Sequence, residues 1–77
     1  MQEKKFMFID DNYAIDEDLP TYLKSLLAEL QGYYDNDDWI GFDCLLEVIE
    51  ADIKSYRLNG SITEQQLDTL FRRYGLR

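Results

Sequence analysis

Carboxylates are the side chains of this sequence numerous enough to do chemistry. Between Asp10 and Asp52 stand thirteen of them and one base, Lys24, so 43 residues carry −12 in a chain whose net charge is −8. Such a concentration can ligate a hard cation, work as acid/base pairs, or attract a basic macromolecular surface over long range.

Cation ligation is tested by spacing. Counted from Asn36, Gly41 is sixth and Glu47 twelfth, the spacing of an EF-hand loop, but the fifth and ninth positions fall on Ile40 and Cys44, and the apolar pattern there is helical. A second echo around Gly60 and Ile62 would need Ser55 and Arg57 as entry ligands and Gln66 at the twelfth position. Asp10, Asp11, Asp16, Glu17 and Asp18 cluster without a glycine turn or regular ligand spacing. No metal site and no cofactor site is read from these residues.

Catalysis by the familiar routes is closed. The chain has no histidine, which removes the commonest general base, proton relay and nitrogen ligand for zinc. Cys44 stands between Asp43 and Glu47, whose charge opposes thiolate formation, so it reads as a small apolar residue partly buried on a helix. The chain is read as a non-enzyme.

The elements that carry these acids are helices. At 77 residues there is room for one domain, and a domain of this size buries roughly 60% of its unfolded surface. The hydrophobic fraction is 45% and the aromatic fraction 14%, well above the composition of a disordered acidic tail. The expected fold is all-α: a single domain over 1–77 made of a helical hairpin plus a C-terminal helix, with a short extended N-terminal arm and loop over 1–15.

The first helix is expected over about 18–34, with Asp16, Glu17 and Asp18 at the positive end of its dipole and Pro20 in its first turn. Tyr22, Leu23, Leu26, Leu27 and Leu30 form its apolar face, and Gly32 is the expected stop. The second, over about 38–58, carries Trp39, Phe42, Leu46, Ile49, Ile53 and Tyr56 at alternating spacings of three and four, with Asp37 and Asp38 as cap candidates. Leu45, Val48 and Leu58 are expected to widen its buried stripe. Asn59 and Gly60 end it, and a third helix follows over about 63–74, its start set by Thr63 and Gln66 in a capping box and by Ile62 and Leu67 as a staple. Leu67, Leu70, Phe71 and Tyr74 are its buried face, expected to fold across both other helices, with Gly75 and Leu76 closing its end.

Phe6 to Ile9 is an apolar run that suits either an arm covering the core or a strand paired with another chain. It is too short for a signal-peptide core or a membrane span. One cysteine excludes an internal disulfide framework and fits a reducing compartment, so a cytoplasmic location is expected, with no membrane partner.

A pI of about 4.2 sets the class of partner. Lys54, Arg57, Arg72, Arg73 and Arg77, on a helix, turn and helix, are the residues a nucleic-acid binder would use. The acidic remainder repels a duplex, and Arg72 and Arg73 also suit helix capping and ion pairs with the acidic body, so direct nucleic-acid binding is disfavoured. A basic protein surface is the favoured partner, as for small acidic inhibitors, immunity proteins and antitoxins. Asp35, Asp37, Asp38, Asp43, Glu47 and Glu50 would supply charge, and Tyr33, Tyr34 and Trp39 aromatic anchors. The alternative is a structural subunit, a homodimer formed through the second helix's stripe and the Phe6 to Ile9 arm.

Overall fold

A computed structural model describes residues 7–76; Phe6 lies outside them. Three helices follow one another: α1 Thr21–Asp35, α2 Trp39–Leu58 and α3 Glu64–Tyr74. The fold is the all-α hairpin plus C-terminal helix that the apolar spacing predicts, with the N-terminal arm in place, and no strand occurs among the described residues.

α1 starts later than its charge pattern suggests. Pro20 stands at its N-cap, and no acid lies in its first turn. Asp16 instead closes a local turn, its Oδ1 accepting the Asp18 backbone N–H at 2.8 Å. An aspartate that hydrogen-bonds two residues ahead competes with helix, and Leu19, before a proline, is held out of the helical region.

The link between α1 and α2 is three residues long. α1 runs through Gly32, and its end is closed by Asp37, a left-handed residue at φ 60°, with Asp37 N–H donating to the Tyr34 carbonyl at 3.2 Å and Asp38 N–H to the Tyr33 carbonyl at 2.9 Å. This is a Schellman closure with aspartate in the glycine position. Asp38 then caps α2, its Oδ1 accepting the Gly41 N–H at 3.0 Å.

That tight link folds α2 back along α1. Leu23, Leu27 and Leu30 meet Phe42, Ile49 and Ile53 in a core where each is at most 1% exposed. The stripe expected to serve a homodimer is thus largely buried within its own chain, with Leu46 and Tyr56 half-buried beside it. Of the second row, Leu45 is half-buried, but Val48 and Leu58 are 49% and 88% exposed. At 100° per residue those two lie on the far side of α2 from Phe42 and Ile49, where the chain has no further helix to cover them.

α2 and α3 are joined as their sequence dictates. Gly60, at φ 83°, lets Ser61 N–H reach the Tyr56 carbonyl at 2.9 Å. The Thr63 hydroxyl accepts from Gln66 N–H at 3.0 Å, and the Gln66 side chain accepts from Thr63 N–H at 2.7 Å. Ile62, Leu67, Leu70 and Tyr74 join the core.

α3 packs on α2 and nowhere brings its backbone near α1. The arm and the following loop take the remaining side of α3, running antiparallel to it. Phe8 lies against Gly75, Asp10 N–H donates to the Arg73 carbonyl at 2.7 Å, the Tyr13 carbonyl accepts from Arg73 Nη1 at 2.7 Å, and Asp16 accepts from Gln66 Nε2 at 3.0 Å. Met7 and Leu19, at the two ends of this segment, are buried. Thirteen residues of irregular chain thereby do the covering expected of α1. The molecule is elongated, 42 × 21 × 21 Å.

Candidate functional site

Charge separates along the hairpin. From Ser25 to Ile53 the chain holds eight acids, Glu29, Asp35, Asp37, Asp38, Asp43, Glu47, Glu50 and Asp52, and no base. Lys24 sits just before that stretch and faces the other way, its Nζ donating to the Glu17 carbonyl at 2.9 Å. The bases that follow engage acids close by: Lys54 pairs with Glu50 at 3.2 Å, Arg72 with Asp68 at 2.8 Å, and Arg57 with Glu64 and Arg73 with Asp11 at 3.9 Å. Among the described residues no cation reaches Asp35, Asp37, Asp38, Asp43 or Glu47. The end of the hairpin carrying the α1–α2 turn is consequently a one-signed surface.

The nine residues expected to bind a partner are brought to this end and along the adjoining flank of α2, but they do not all face outward. The Tyr33 ring is pressed over Gly41, where a Cβ would stand 2.8 Å from it. Its hydroxyl donates to Glu29 Oε2 at 3.3 Å, and the neighbouring Glu29 charge, with that bond, holds it above the usual tyrosine range. The Tyr34 ring packs against Phe42 with centroids 5.9 Å apart. Both tyrosines therefore brace the hairpin, since helices this close leave their junction rings no outward course. Asp38 is committed to its cap, and Asp35 accepts from Gln31 Nε2 at 2.9 Å.

What remains toward solvent is a row. Trp39 is 46% exposed at the start of α2, and Asp43 and Glu47 follow at intervals of four, which stacks them along one line of the helix. Glu50 continues that flank, half-buried beside Lys54. Asp35 and Asp37 stand exposed at the turn. Ile40, 60% exposed beside Trp39, was not among the expected residues; its signal was that it falls outside the three-and-four spacing of the core.

The other chemical readings meet the same geometry. Residues 39–47 are helix, so the frame beginning at Asn36 forms no twelve-residue loop, and among the described residues no three His, Cys, Asp or Glu side chains gather as metal ligands. Cys44 is exposed rather than partly buried, because it lies on the outward side of α2 with Ile40. On the helix, turn and helix, Arg73 is 8% exposed and turned inward, donating to the Tyr13 carbonyl and to Tyr74 Oη at 3.1 Å. Its main role is thus structural, tying the arm to α3, beyond the capping and ion pairing expected of it.

One concavity, a half-open groove of about 380 Å³, lies between the loop and the start of α3, remote from the acidic turn. Asp16, Leu19, Thr63, Gln66 and Thr69 line it. The backbone N–H of Asp18 and then the Gln66 amide hold the Asp16 carboxyl below the ordinary carboxylate range, so its oxygens already have donors. Comparison with protein-family models, with curated proteins and with solved structures returned no match.

Proposed function

We propose that the protein is a non-catalytic binding module that occupies a basic surface of a partner protein, in the manner of an inhibitor, immunity protein or antitoxin acting in the cytoplasm. The observation that carries this reading is the base-free stretch from Ser25 to Ile53, folded so that Asp35, Asp37 and Asp38 stand at the hairpin's turn and Asp43 and Glu47 follow along α2 from an exposed Trp39. A low-dielectric body bearing charge of one sign focuses its field outward and accelerates encounter with the opposite sign.

In this reading Trp39 and Ile40 provide the apolar anchor, Asp35 and Asp37 flank it at the turn, and Asp43, Glu47 and Glu50 extend the charge from it along α2. Tyr33, Tyr34 and Asp38 act from behind, by fixing the angle of the turn. Aromatic anchors are where interface energies concentrate, while charge at the rim speeds encounter.

The experiment is capture from a lysate of the protein's own source at low and moderate salt, identification of the retained protein, and association kinetics on the purified pair. Expected are a basic partner, an association rate that falls with salt, and a slower rate for the D35N/D37N/D43N/E47Q variant at unchanged helicity. A partner bound equally fast by that variant would remove these acids from the interface.

A further inference from the structure

The outward side of α2 carries an apolar stripe that the core does not account for and of which the partner-binding reading uses only Ile40. Ile40, Cys44, Val48, Ala51 and Leu58 lie within one face of the helix and are all exposed, with Ile40 at 60% and Leu58 at 88%. Contiguous exposed apolar surface on a small domain marks an interaction site. We propose that this face binds a second copy of the chain, α2 against α2 in antiparallel orientation about a two-fold axis at the level of Ile49.

The two apolar ends of the stripe and one flanking charge pair are self-complementary about that one point. Ile40 and Leu58 each lie nine residues from Ile49, so the largest exposed apolar residue at either end of one helix meets its counterpart at the opposite end of the other. Glu47 and Ala51 are each two residues away, and the small side chain of Ala51 at the centre lets the helix axes approach to about 8–10 Å. Asp43 stands six residues before the midpoint and Lys54 five after it, which sets each Asp43 beside the other copy's Lys54. An isologous contact requires this match of a surface to its own reverse.

Orientation follows from the field as well. The acid-rich turns lie at one end of α2, so a parallel pair would place two of them side by side. The antiparallel pair sends them to opposite ends, roughly a helix length of about 30 Å apart and beyond the screening distance at physiological salt. Trp39, Asp35 and Asp37 stay open at each end. Asp43 and Glu47 border both surfaces, so self-association and partner binding compete for them.

Sedimentation equilibrium of the intact protein, with Asp43 and Lys54 exchanged, tests the proposal. Expected is a reversible dimer within the range up to about 1 mM. Ala51→Glu, which sets a second carboxylate against the Glu47 that the two-fold places opposite it, weakens it at least about tenfold, while helicity, and thermal melting at dilutions where the native chain is monomeric, stay unchanged. D43K and K54D each weaken the dimer, and the D43K/K54D double variant recovers it.

K54C, with Cys44 of the other copy level with it, forms a disulfide-linked dimer on mild oxidation, whereas two native Cys44 residues, about 15 Å apart along the axis, do not. A protein that stays monomeric throughout that range, or a dimer indifferent to Ala51→Glu, overturns the interface. A dimer that links through native Cys44, or that the double exchange does not restore, overturns the antiparallel register.

Discussion

The ring of Tyr33 fills the space that a side chain on Gly41 would need. A Cβ there would stand 2.8 Å from two ring carbons and 3.0 Å from the Asp38 carboxylate. Gly41→Ala should therefore destabilise the domain by about 1 kcal/mol, overpacking at the crossing outweighing the better helix propensity of alanine. Gly32, inside α1 with nothing within 4 Å, is the counterpart: Gly32→Ala should stabilise by roughly 0.5–1 kcal/mol. Urea denaturation of both variants checks this, and two stabilised proteins would mean that Tyr33 yields without cost.

Adjacent arginines should differ sharply. Arg73 is buried and holds the Tyr13 carbonyl and the Tyr74 hydroxyl, so Arg73→Met strands polar groups and should cost roughly 2–3 kcal/mol. Arg72→Met removes an exposed pair with Asp68 and should cost less than about 1 kcal/mol. Denaturation midpoints measure the difference, and equal losses would mean that the arm's anchor contributes no more than a surface ion pair.

The turn acids have separable duties. Asp37 is left-handed, a conformation asparagine adopts readily and valine does not, so Asp37→Asn should preserve stability while Asp37→Val should lower it by about 1–2 kcal/mol. Asp38→Asn keeps the cap on Gly41 and Asp38→Ala loses it, at about 1 kcal/mol. Thermal melts of the four variants check these values, and they supply charge-removed proteins of intact fold for binding kinetics.

Tyr74 gives the domain an alkaline limit. Burial, its chief perturbation, raises the hydroxyl above its ordinary value of 10.0, partly offset by the Arg73 bond. The folded state thus prefers the neutral phenol. The resulting stability is complete below the unfolded value and is lost as pH rises through the higher folded one. Urea midpoints taken from neutral pH to about 11 should fall at the alkaline end, and less steeply in Tyr74→Phe. Parallel profiles would assign the alkaline loss to other groups.

Elements whose ends are set by neighbouring residues were the legible ones. Thr63 with Gln66 and Gly75 with Leu76 bracket α3, and Asn59 with Gly60 closes α2, each by bonds spanning only a few residues. α1 was harder at both ends: Asp16 to Asp18 serve either a helix dipole or an aspartate turn, and the choice falls to Pro20. Gly32 offered a left-handed stop that the chain does not take, because continuing to Asp35 brings Tyr33 over Gly41 and Tyr34 against Phe42. The apolar row of Val48 and Leu58 promised a second buried neighbour, but α3 leaves that side of α2 open. Arg73 was illegible as an anchor, since its acceptor, the Tyr13 carbonyl, carries no residue signature. At the site, spacing located Trp39, Asp43 and Glu47, while the inward roles of Tyr33, Tyr34 and Asp38 depend on how closely α1 and α2 approach.

The antiparallel course of the arm along α3 also sets an order of events during synthesis. Tyr13 and Arg73, 60 residues apart in sequence, cannot meet until Arg73 has emerged, which at ribosomal speeds is a wait of roughly 3–12 s after Tyr13. The α1–α2 hairpin, closed by three residues, can form in that interval. Met7 and Ile9 meanwhile have no α3 to lie on and stay open to chaperones. The segment from Met7 to Tyr13, made before the helices, is thereby the last of these elements to find its place, and a substitution that loosens Arg73 would prolong its exposure before it altered the finished fold.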